Sequence, residues 1–181
     1  MATTIQEVRD GLESDGPTLF YDGEQTLLFS FPHQGQLMAV TIVLLEDGKY
    51  IRFRIPCYLD VSRTRHRGRV VEKLLELNCK FKLLKFGINT DEGEVSVEID
   101  LPLEDSQPTP RLLSRCMYYL TEPAMKEREN LLSLLETGIY PASEDEGFCA
   151  SLERLLPDEG FEESIPAGRS SENPSIEGAG Q

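Results

Sequence analysis

The sequence predicts an α+β fold with its elements in the order helix–strands–helix–hairpin–helix. Three observations carry that reading. Asn78 to Asp105 has the form of a β-hairpin: Phe81–Asn89 is one arm, Glu94–Leu103 is the other, and Thr90-Asp91-Glu92-Gly93 between them is rich in residues that tolerate tight turns. Apolar residues at helical spacing stand on both sides of it, at Val70–Leu75 and at Leu112–Leu120. Upstream, short runs alternate with a period of two, the signature of half-buried strands.

The elements follow in order. Thr4–Leu12 is expected to be a short helix, capped by Thr4 with Glu7 three residues on, as in a capping box, and ended by Asp15-Gly16-Pro17. Thr18–Tyr21 reads as a brief strand before the turn Asp22-Gly23. Thr26–Phe31 alternates well, with Leu27, Phe29 and Phe31 on one side, and Pro32–Gly35 is the next turn. Leu37–Leu45 is apolar on both faces, with Met38, Val40, Ile42 and Leu44 on one and Leu37, Ala39, Thr41, Val43 and Leu45 on the other. After Glu46-Asp47-Gly48, Tyr50–Pro56 places Ile51, Phe53 and Ile55 inward and Tyr50, Arg52 and Arg54 outward. A linker, Tyr58–Gly68, leads to a helix over Arg69–Leu77, for which Asn78 is the expected C-terminal cap. Past the hairpin, Thr109 can cap a helix that has Pro110 at its first position, and Gly138 can end it. Pro123 falls inside that helix, so a kink or two helices meeting near Thr121–Pro123 is expected.

Composition divides the chain. Residues 141–181 hold ten acidic and two basic residues and are rich in Gly, Ser and Pro, the make-up of a disordered tail, with a short amphipathic island at Phe148–Leu156. We therefore expect a domain over residues 1–140 and an acidic tail over 141–181. The tail accounts for −8 of the net charge of −14, leaving −6 on the body. This balance opposes attraction to nucleic acid and to anionic membrane surfaces. No apolar run approaches the ~20 residues that cross a bilayer, and MATTIQEVRD lacks the hydrophobic region of a secretion signal, so a cytoplasmic location is expected. The four cysteines form no CxxC pair and have no histidine at ligand spacing, which argues for reduced thiols rather than a metal site.

Nothing in the sequence assembles a catalytic site. His33 and His66 are the only histidines, and neither has a nucleophile or carboxylate at a telling spacing. Gly87 and Gly93 lack the spacing and the following helix of a phosphate loop. Glu94, Glu98 and Asp100 alternate along one strand, which is the ordinary pattern of a wet sheet face. No enzyme, cofactor or metal is expected.

Two stretches do suggest binding. A strand apolar on both faces is either covered on both sides by its own fold or gives one face to a partner, which makes Met38, Val40, Ile42 and Leu44 candidates for holding another chain. Arg63, Arg65 and Arg67 alternate in the linker and begin a basic run continued by Arg69, Lys73, Lys80, Lys82 and Lys85; this could grip an acidic partner or serve only as a solvated, charge-balancing segment.

Leu74-Leu75-Glu76-Leu77-Asn78, Lys85-Phe86-Gly87-Ile88-Asn89, Glu92-Gly93-Glu94-Val95 and Asp100-Leu101-Pro102-Leu103 occur in an order that resembles the YbjN family of bacterial proteins. The resemblance covers residues 69–120 best and does not reach the tail. It implies a fold similar to that of the type III secretion chaperones, a twisted antiparallel sheet flanked by helices, in proteins that often dimerise. It also implies regulation or chaperone-like peptide binding, and no catalytic residues. The expectation is thus a non-catalytic, chaperone-like or regulatory protein that binds a peptide segment of a partner protein. The alternative is a charge-based regulator that binds an acidic partner or nucleic acid through Arg63–Arg69.

Overall fold

The computed structural model describes residues 3–13, 21–22, 25–33, 36–103 and 106–141. Its elements are α1 (Ile5–Glu13), β1 (Tyr21–Asp22), β2 (Thr26–His33), β3 (Gln36–Leu45), β4 (Tyr50–Asp60), α2 (Arg67–Lys80), β5 (Lys85–Ile88), β6 (Glu94–Pro102) and α3 (Pro110–Thr137). The expected order of helices and strands is the observed one. The tail, with its amphipathic island, the turn at Asp15-Gly16-Pro17 and all of the Thr18–Tyr21 strand except Tyr21 lie outside the described residues.

The strands form one antiparallel sheet in the order β1-β2-β3-β4-β6-β5. Chain neighbours β2, β3 and β4 pair in sequence order, and a tight turn joins β3 to β4. At the β3–β4 turn Glu46, Asp47 and Gly48 all take positive φ, with values of 51°, 55° and 83°. Between Ile55 and Leu59 the register of β4 against β6 slips, and Cys57 sits in that bulge at φ 48°. The expected linker from Tyr58 is therefore strand for its first three residues, because β4 resumes pairing after the bulge.

The core lies between one face of the sheet and the helices. Leu27, Phe29, Val40, Ile42, Ile51, Phe53, Ile55, Val95, Val97 and Ile99 are buried there with Val8 and Leu12 of α1, Val70, Leu74 and Leu77 of α2, and Leu113, Leu120, Leu131 and Leu134 of α3. The capping box of α1 is present: Glu7 N–H donates to Thr4 Oγ1 at 3.3 Å, and Thr4 N–H donates to Glu7 Oε2 at 2.8 Å.

Other boundaries also differ from expectation. α2 is longer at both ends, running from Arg67 to Lys80, so Asn78 lies within it rather than at its cap. The first hairpin arm is only Lys85–Ile88, because residues 81–84 bring the chain back from α2, with Phe81 and Leu84 buried. Pro32 and His33 belong to β2 instead of the turn. At Pro123 the structure selects one continuous helix over two. Thr109 caps it, its Oγ1 accepting from Leu112 N–H at 3.2 Å, and Gly138 closes it at φ 78°.

Candidate partner-binding surface

Register decides which side of β3 is available. Ile42 stands opposite Leu27 and Phe53, and Val40 opposite Phe29, so these residues share the helix-covered face. Met38, Val40 and Ile42 are buried there, at 7%, 0% and 0% exposure, and Leu44 is half-buried at its end. This corrects the expectation that Met38, Val40, Ile42 and Leu44 offer a surface to another chain. The first three are core residues covered by the protein's own helices.

The opposite parity is left by the helices. Thr26, Leu28 and Ser30 of β2 lie beside Val43, Thr41 and Ala39 of β3, and Thr41, Val43 and Leu45 lie beside Arg54, Arg52 and Tyr50 of β4. All these β2 and β3 residues are half-buried, and Leu37, at one end, is 74% exposed. This open face has two halves. Across β2 and β3 it is apolar or hydroxylated. Across β4, β6 and β5 it is charged.

The charged half is internally paired. Arg52 and Asp100 form a two-pronged contact, Nε to Oδ1 at 2.7 Å and NH2 to Oδ2 at 3.0 Å, with Glu98 Oε2 at 3.4 Å from the same Nε. That guanidinium holds the Asp100 carboxyl below the usual carboxylate range. Arg54 NH2 lies 3.6 Å from Glu94 Oε1, and the same oxygen accepts from the Cys57 N–H at 3.2 Å across the bulge. A partner on the open face would thus meet an apolar strip beside a row of arginines whose charge is already answered.

The basic run sits elsewhere, at the start of α2. Arg67 NH2 donates to the Thr90 carbonyl at 2.8 Å, fastening the hairpin turn, and Arg65 Nε donates to His66 Nε2 at 3.0 Å. Arg63 is exposed. The neighbouring Thr64 Oγ1 donates to the Leu135 carbonyl at 2.6 Å, so this segment also holds the end of α3.

Some of the most connected residues carried no signal in the sequence. Glu127 is buried on α3; the Tyr140 hydroxyl donates to its Oε2, and Lys80 Nζ is 3.9 Å from its Oε1. Lys73 Nζ stands 4.2 Å above the Tyr140 ring. Tyr58, aimed inward by the bulge, donates to the Ala124 carbonyl at 2.6 Å, and its own carbonyl accepts from Arg128. Burial pushes the Tyr58 and Tyr140 hydroxyls well above the ordinary tyrosine range, so both stay protonated donors. Burial also raises the Cys116 thiol to about 11. A charge three or four residues from an apolar stripe looks solvent-facing in sequence; only the packing of α2 against α3 shows that Glu127 points inward. Among the described residues no group of three or more His, Cys, Asp or Glu side chains could hold a metal ion.

A known structure shares this fold. One chain of the ExsC–ExsE complex superposes with a TM-score of 0.51 at 19% identity, over 72% of this chain and 97% of its own length. The chain has a type III secretion chaperone-like fold. Chains from the HopA1–SchA chaperone–effector complex and from the heterodimeric ExoU–SpcU complex of the Pseudomonas aeruginosa type III secretion system both give TM-scores of 0.48, at 17% and 21% identity. They cover 68% and 70% of this chain and 91% and 96% of their own. No family model and no curated protein matches the chain. Among the described residues no helix is long and apolar enough to cross a membrane.

Proposed function

We propose that this protein is a non-catalytic, chaperone-like binding protein that holds an extended apolar segment of a partner protein on the open face of β2 and β3. One observation carries the proposal: Leu28, Ala39, Val43 and Leu45 line a sheet face that the helices leave uncovered, with Leu37 standing exposed at its end. An antiparallel sheet commonly has one packed and one wet face, so an apolar strip on the second face calls for a reason. The fold supports this one, since a chain of the same fold is found in complex with a second protein in the ExsC–ExsE structure. An extended segment fits the strip best, because alternate side chains could enter between Leu28, Val43 and Leu45. We also place the protein with the YbjN family, on the motifs between Leu74 and Leu103.

The test is binding of the full chain to an array of extended peptides with alternating apolar residues, read by fluorescence anisotropy. Val43→Glu should weaken the best binder at least tenfold with circular dichroism unchanged. The proposal fails if no peptide binds, or if Val43→Glu binds as the unaltered protein does.

A further inference from the structure

Asn78 lies apart from the open face and has its side chain in an unusual place. β5 ends the sheet among the described residues, so one of its long sides faces away from β6. Successive residues of an antiparallel strand point their main-chain groups alternately toward and away from the neighbouring strand. The Asn89 N–H donates to the Glu94 carbonyl at 2.8 Å at the end of this ladder, which places Lys85 and Gly87 toward β6 and the groups of Phe86 and Ile88 on the outer side. At Phe86 that outer side is occupied. Its N–H donates to Asn78 Oδ1 at 2.7 Å, and its carbonyl accepts from Asn78 Nδ2 at 3.1 Å.

A side-chain amide carries the same donor and acceptor as a peptide unit. Asn78 therefore stands where the peptide of one more strand would stand. Edge strands with free outer groups are templates for pairing with another copy. β5 suits such pairing: a two-fold arrangement about Gly87 sets Phe86 opposite Ile88 of the other copy and Lys85 opposite its Asn89, with no like charges facing.

We propose that Asn78 is an edge guard: its side-chain amide closes the outer side of β5 against strand pairing with a second copy of this chain. The experiment measures the mass of the full chain by light scattering over a range of concentrations, together with amide hydrogen exchange at Phe86. Asn78→Ala should raise the mass above that of the unaltered protein, reaching twofold as concentration rises, and at low concentration should speed Phe86 exchange at least tenfold. Adding Ile88→Pro, which removes the other outward N–H, should return the mass to the starting value. Asn78→Asp keeps the acceptor for the Phe86 N–H and adds a repelling charge, so its Phe86 amide should stay slow and its mass unchanged. A folded Asn78→Ala whose mass equals that of the unaltered protein at every concentration overturns the proposal. So does a Phe86 amide that exchanges as fast as an exposed loop amide in the unaltered protein, a reading that needs no variant to fold.

Discussion

Tyr58 reaches α3 because β4 bulges. The extra residues between Ile55 and Leu59 turn the side chain toward Ala124, whose carbonyl it bonds at 2.6 Å in a buried setting. Tyr58→Phe removes that bond while keeping the ring, and should lower stability by about 1 kcal/mol in urea unfolding. Glu127 has more at stake, because its loss leaves the half-buried Tyr140 hydroxyl without this acceptor. Glu127→Ala should cost about 2 kcal/mol, and Glu127→Gln, which keeps an oxygen in place, clearly less. The Arg52–Asp100 contact is half exposed, so its effect is smaller and depends on pH. A carboxyl held below its unfolded value adds stability at neutral pH and loses it as pH falls through the lowered value. Asp100→Asn should therefore cost about 0.5 kcal/mol at pH 7, with the difference shrinking as pH falls through the lowered carboxyl value, in unfolding curves recorded from neutral to acid pH.

The elements show what was legible beforehand and what was not. Capping is local chemistry, and Thr4, Thr109 and Gly138 cap as the sequence implies. Thr109→Ala should cost about 1 kcal/mol of thermal or chemical stability. Gly138→Ala should cost more, since a Cβ there would strain the left-handed backbone and sit 2.6 Å from the His66 ring. The two apolar faces of β3 were equally legible, but their assignment was not, because periodicity alone gives parity without saying which side the helices take. The β3–β4 turn held the missing information. Its four residues, 46–49, pair Leu45 with Tyr50, and that puts Val43 and Leu45 on the side of outward Arg52 and Arg54. Asn78 was unreadable for a related reason. A polar residue near a helix end looks like a cap, whereas here it bonds a strand eight residues away in sequence, which only the return of the chain at residues 81–84 brings within reach.

At the scale of the whole molecule, the three helices among the described residues cover one side of the sheet and leave the other divided between an apolar strip and a paired charged field. That asymmetry is the basis of the proposal that the open side takes a partner. Methyl-resolved NMR of the full chain titrated with the best extended peptide from the array tests this most directly. Shifts should concentrate on the methyl groups of Leu28, Leu37, Val43 and Leu45, while those of Val40 and Ile42, on the helix-covered side, move little. Shifts confined to the helices, or spread evenly over both faces of β3, would contradict the assignment of the open face.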